Sequence, residues 1–212
     1  MTNLIRIVLV PLLGSLCVFA PVARADTSFE FLFSSGNVTN DSQFLLHLAV
    51  GDYGYPRHVI EPMLPRLHCV EDDLPVILFL AAASGRPVEF IVGLRSEPLS
   101  WYAVFARVGV PYDVLFVGID RDPGPPYGRA WGHWKKNPKA CTLSDEDVQR
   151  FVNVQIGHRV TGLSAFDIAR AEGQGKTVAV VVADKKGRPH QAQQGSPKGG
   201  KSHHGGKGGK GK

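Results

Sequence analysis

Apolar positions at helical spacing, broken by short polar turns, run through the chain from about Phe44 to Ala183. Phe90, Ile91 and Leu94 recur at the intervals that line one helix face, and Val104, Phe105 and Val108 do the same after Trp101. Ser144 precedes Asp145-Glu146-Asp147, an N-cap hydroxyl followed by acids that suit the positive end of a helix. Asn40 with Gln43 three residues on resembles a capping box. Asp73 is placed to cap a helix carrying Pro75 in its first turn, where a missing N–H is harmless. Val178-Ala-Val-Val-Val-Ala183 is the exception, because its β-branched content alone reads as a buried strand with residues 114–119 or 30–33 as partners.

Comparing the chain with itself favours helix there, with the strand as the open alternative. Phe79-Leu-Ala-Ala-Ala-Ser-Gly85 lies over Phe151-Val-Asn-Val-Gln-Ile-Gly157, and in the same register Cys69 falls on Cys141. A few inserted residues later Ile91 falls on Ile168, and Ser100-Trp101-Tyr-Ala-Val-Phe105 on Thr177-Val-Ala-Val-Val-Val182. Phe44-Leu-Leu-His-Leu-Ala-Val50 begins a shorter third copy. Tertiary context overrides local propensity, so the expected fold is mostly α: a small array of repeated helical hairpins with one long irregular Gly/Pro/aromatic loop.

The N-terminus adds a processing step. One cation, Arg6, precedes an apolar stretch over residues 7–20, and Ala23-Arg-Ala25 supplies small residues for a signal peptidase. That stretch is about 14 residues, short of the roughly 20 that span a bilayer as a helix. Residues 1–25 are therefore read as a cleavable signal peptide, 26–184 as a single helical domain and 185–212 as a basic Gly/Lys/His tail. The expected location is periplasmic or extracellular, with no transmembrane segment in the mature chain.

Charge changes the picture further, because it is segregated. The net +5 hides a domain with 14 Lys and Arg against 19 Asp and Glu, and a tail with seven Lys, one Arg and no acid. A Gly/Lys/His segment without apolar side chains cannot offset its ordering entropy and is expected to be disordered. Its charge seeks anionic surfaces. Removal of Cys17 with the signal leaves Cys69 and Cys141, an even pair in an oxidising compartment, and a disulfide between them is the expectation.

The most individual segment is Asp120-Arg-Asp-Pro-Gly-Pro-Pro-Tyr-Gly-Arg-Ala-Trp-Gly-His-Trp-Lys-Lys-Asn-Pro138, whose Gly and Pro argue against regular structure. Within it Tyr127, Trp131 and Trp134 interleave with Arg129, His133, Lys135 and Lys136. Such a set suits stacking on sugars or bases while anions are neutralised; alternatively, the rings pack the loop onto the helices as a lid. Asp120-x-Asp122-x-Gly124 lacks the later ligands of a calcium loop and reads as turn chemistry. Asp113 with Asp120 or Asp122 is the one carboxylate grouping considered for acid–base work.

Leu74-Pro-Val-Ile-Leu-Phe-Leu-Ala81, the Ser100-Trp101 helix start and Gly124-Pro-Pro-Tyr-Gly-Arg-Ala-Trp-Gly-His-Trp-Lys135 resemble an uncharacterised family of exported bacterial proteins, over residues 42–176. The resemblance implies export and a helical body, and it carries over no functional residue. No hydrolase, zinc-protease, phosphate-loop or dinucleotide motif is present, and no metal or cofactor set is called for. The sequence thus favours an exported, envelope-associated binding or scaffolding protein over an enzyme, its partner an anionic polymer or envelope protein. The alternative is a hydrolase of an envelope polymer using a loop carboxylate.

Overall fold

A computed structural model describes residues 40–138 and 140–187; the expected signal peptide, residues 30–33, and the tail beyond Gly187 with its histidines lie outside them. The described residues form helices α1 (Asp41–Tyr53), α2 (Arg57–Ile60), α3 (Val70–Ser84), α4 (Val88–Arg95), α5 (Trp101–Val108), α6 (Gly128–Lys136), α7 (Asp145–Thr161), α8 (Ala165–Gly173) and α9 (Val178–Lys186). Two 3-10 segments, Glu61–Arg66 and Tyr112–Phe116, complete the regular structure, and no strand occurs among the described residues.

Caps set most boundaries. Asn40 accepts the Gln43 amide at 2.9 Å, and Ser144 with Asp147 forms a reciprocal capping box at the start of α7. Ser100, Ser164 and Thr177 accept the amides of Ala103, Asp167 and Val180. Thr177 explains how the valine run becomes helical: its hydroxyl starts α9, Gly187 ends it in the left-handed region, and Val178, Ala179 and Val182 are buried. The helix extends through Lys186, so the first two lysines of the expected tail belong to α9.

Helices α3 and α7 form the centre, α3 against α1, α7 and α4, and α7 against α9, α8 and α1. α3 is apolar around most of its circumference, with residues 74–78 buried without interruption, as a helix packed on several sides must be. Gly157 lets α9 close on α7, since a Cβ there would stand 3.1 Å from the Val178 side chain.

Four expectations are corrected. α3 begins at Val70, so Asp73 and Pro75 lie inside it and Cys69 occupies the N-cap. Residues 128–136 are helical although Gly and Pro surround them, because the prolines precede the first turn and leave the ladder intact. The self-alignment over 79–85 and 151–157 does not match helix ends: Gly85 terminates α3, whereas Gly157 is internal to α7 and Gly162 terminates it. That same register put the cysteines at equivalent places, and they are not equivalent. Cys69 is exposed at the start of α3, Cys141 is buried ahead of α7, and both are free thiols outside bonding distance.

Desolvation of the sulfur, followed by its hydrogen bond to Asp72 at 3.2 Å, pushes the Cys69 thiol up to about 11. Its alkylation at pH 8 is expected to run roughly tenfold slower than that of a free cysteine, after allowing for the greater nucleophilicity of a more basic thiolate. The rate should climb towards pH 11, and Asp72→Asn should raise it at pH 8. Timed iodoacetamide labelling with peptide mapping checks this; labelling at the free-cysteine rate contradicts it.

Candidate functional site

The segment leading into α6 is fixed from three sides. Buried Gln155 donates from one Nε2 to the carbonyls of Leu115 (2.9 Å) and Val117 (3.0 Å), so the central helix holds the backbone on which the segment starts. Asp122 accepts the Gly124 amide at 2.8 Å, and its carboxylate fills the space where a Cβ on Gly128 would sit, 2.6 Å away. The Pro125 carbonyl lies over Gly173 at the end of α8, 2.5 Å from where a Cβ on that residue would stand. Gly124 is left-handed, at φ 80°. The Gly-Pro-Pro-Tyr-Gly stretch is thus a docking element.

Tyr127, Trp131 and Trp134 fall on one face of α6, and that face is turned to the body. Tyr127 is 1% exposed, packs obliquely on Phe151 and donates its hydroxyl to the Glu172 carboxylate. Burial, and then the charge of Glu172, raise the phenol far above its usual range, so it serves as a permanent donor. Trp131 donates its indole N–H to the Ile119 carbonyl at 3.1 Å. Trp134 donates to Asp113 at 2.8 Å and stacks on Phe116 with ring centres 4.2 Å apart. The stacking role expected of these rings is therefore corrected for Tyr127, which no ligand reaches; Trp131 and Trp134 are half-buried, the first donating to a backbone carbonyl and the second to the exposed Asp113. Asp113 and Asp122 are likewise engaged, in holding Trp134 and Gly124.

Arg129, His133 and Lys136 lie on the opposite face, Lys135 stands beside the aromatic face with its ammonium 6.0 Å from the centre of the Trp134 ring, and all four are exposed. Arg129 and His133 project along one wall of a cleft of about 510 Å³, whose other wall is the start of α7 with Ser144, Asp147 and Arg150. Sequence reasoning missed Arg150 of this cleft and Glu172, which holds Tyr127; the spacing of Arg150 four residues after Glu146 was the available signal. Arg150 pairs with Glu146 at 2.6 Å and with Glu172 at 3.9 Å. Its hydrogen bond to Glu146 holds the guanidinium still more firmly in the charged form.

No protein-family model, characterised protein or solved structure matches this chain. Among the described residues no group of three or more His, Cys, Asp or Glu side chains converges as a metal site would require.

A second charged cluster escaped the sequence reading altogether. Arg95, at the end of α4, reaches Asp73 of α3 at 3.0 Å, Asp145 of α7 at 2.9 Å and the Leu99 carbonyl at 2.7 Å. Its guanidinium lies 4.3 Å over the Trp101 ring, and the Trp101 amide donates to Asp145 at 2.7 Å. Four helices are joined through one guanidinium, and the cluster is read as structural.

Proposed function

We propose that the chain is an exported, envelope-associated binding or scaffolding protein that holds an anionic polymer, or the acidic face of an envelope protein, on the outer surface of α6. The carrying observation is the division of labour along that helix. Its two tryptophans and the tyrosine at its N-cap are committed to the body, and its four basic side chains stand in solvent. A helix that commits three large rings and two indole hydrogen bonds to its own placement holds those cations in a fixed array. Pre-positioned charge of this kind sets partner choice and association rate.

The setting supports the same reading. α3–α4–α5 and α7–α8–α9 are two copies of one three-helix unit, since the helix ends Gly85, Pro87 and Ser100 correspond at a constant spacing to Gly162, Ser164 and Thr177. α6 belongs to the segment inserted between them. The repeated units supply the scaffold, and the insert supplies the surface.

The quadruple change R129Q/H133Q/K135Q/K136Q tests this. Three permanent cations at about 0.5 kcal/mol each give roughly a tenfold loss of affinity for an immobilised polyanion. The salt dependence of retention should flatten in parallel. The melting temperature should stay within about 2 °C, because all four side chains are exposed. Unchanged retention at low salt contradicts the assignment of α6.

A further inference from the structure

We infer that the cleft between α6 and α7 binds a small zwitterion of the amino-acid or short-peptide class. This site goes beyond the polymer reading, which concerns charge displayed outward, and it fails separately from it. What distinguishes the cleft is the opposite charge of its two walls.

The α6 wall presents Arg129 and His133, with Pro126 and Ala130 as its apolar part. Among the described residues, the side chains of Arg129 and His133 enter no hydrogen bond or ion pair. The α7 wall presents Glu146, Asp147 and Arg150. There one guanidinium serves several carboxylates. Arg150 stands 2.6 Å from Glu146 and 3.9 Å from Glu172, while Asp147 has only the neutral amide and hydroxyl of Ser144. A neutral donor leaves a carboxylate its charge, so this wall stays negative. Glu146 accepts Arg150 through Oε1 alone, and Asp147 accepts Ser144 through Oδ2 alone. Glu146 Oε2 and Asp147 Oδ1 therefore take no donor among the described residues.

Walls of opposite sign select by charge. A plain anion gains at Arg129 and is repelled by Glu146 and Asp147, and a plain cation meets the reverse. A molecule with a carboxylate at one end and an ammonium at the other gains a charged hydrogen bond at each wall. At about 510 Å³ the cleft falls within the roughly 300–1,000 Å³ of small-molecule sites. Pro126 and Ala130 give the carbon atoms between the two charges an apolar surface. The walls are also held before any ligand arrives. Tyr127, Trp131 and Trp134 anchor α6 to the body, and the reciprocal cap of Ser144 and Asp147 fixes the start of α7. A preformed site spends less of its binding energy on ordering side chains.

Isothermal titration calorimetry of the full mature chain with glycine, diglycine and triglycine tests this, against the N-acetylated and C-amidated form of each. At least one of the three should bind in the millimolar range or tighter. Masking either of its ends should weaken it about tenfold, the worth of one hydrogen bond to a charged group. Arg129→Gln and Glu146→Gln should each weaken the same probe by a similar factor. Amidation should cost little more in R129Q, and acetylation should cost less in E146Q than in the parent. Both side chains are exposed, so melting temperatures should stay within about 2 °C of the parent. On an immobilised polyanion E146Q should be retained at least as well as the parent, because it removes an acid. Equal affinity for masked and unmasked forms, or no binding by any of the three, overturns the zwitterion assignment and leaves the polymer reading standing. Unchanged affinity in both variants overturns its placement in this cleft. Zwitterion binding without polyanion retention overturns the polymer reading alone.

Discussion

Replacing Arg95 with alanine should destabilise the domain by about 3–5 kcal/mol, the cost of leaving a buried charge without its partner. The Asp73 side chain is only 2% exposed and Arg95 16%, so water cannot take over the lost contact. The Asp145 arm is 35% exposed and contributes less, as partly solvated pairs do. The Leu99 carbonyl loses its donor as well, and Trp101, fully buried, loses the cation over its ring. For a domain of this size the melting temperature should fall by roughly 10 °C or more. Thermal and urea denaturation measure the loss, and the double change R95M/D73L separates its causes. Apolar side chains of similar volume should recover most of the stability if the cost lies in the orphaned carboxylate. A loss below about 1 kcal/mol for R95A would show that Asp73 finds another partner, and that the cluster does not hold the four helices together.

Nothing in the sequence marks Asp73, Arg95 and Asp145 as neighbours, and this shows where sequence reading ends. Helix starts were legible in part, because a cap is a local hydrogen bond between one side chain and an amide three residues away; Asn40 and Ser144 announced themselves that way, whereas Asp73, read by the same rule, lies inside α3. The valine run of α9 was legible only through self-comparison, since its propensity pointed to strand and its Thr177 cap and buried setting outweighed that. The cysteines show the reverse. An oxidising compartment and an even count are statements about chemistry, and they do not set a distance. The register joining Cys69 to Cys141 was wrong over that part of the chain, and with it went the bridge. In residues 120–138 composition identified the segment but not its orientation. Whether a tryptophan stacks on a ligand or on Phe116 depends on what Ile119 and Asp113 offer its N–H, and that is long-range information.

Two glycine substitutions should separate the docking of that segment from the charge it displays. Gly173→Ala places a methyl group 2.5 Å from where the Pro125 carbonyl oxygen now lies. The obstacle is backbone, which cannot rotate away as a side-chain end can, so the Pro125 strand must lift from the end of α8. Overpacking of this kind costs about 1–3 kcal/mol, and the upper part of that range is expected because Tyr127 is drawn off Glu172 by the same movement. The consequence should be visible before global unfolding. Trp131 and Trp134 are held by single hydrogen bonds to Ile119 and Asp113, and lifting the segment exposes both indoles, so fluorescence should shift to the red. Gly132→Ala is the contrasting case. It sits on α6 with no atom within 4 Å of where the added methyl would stand, and a Gly-to-Ala change in an open helix interior gains about 0.5–1 kcal/mol. The pair should therefore move stability in opposite directions, with polyanion retention reduced in G173A through loss of the fixed array and preserved in G132A. If G173A leaves its indole fluorescence unshifted and retains the polymer like the parent, the fixed position of α6 is not what makes its cations a binding surface.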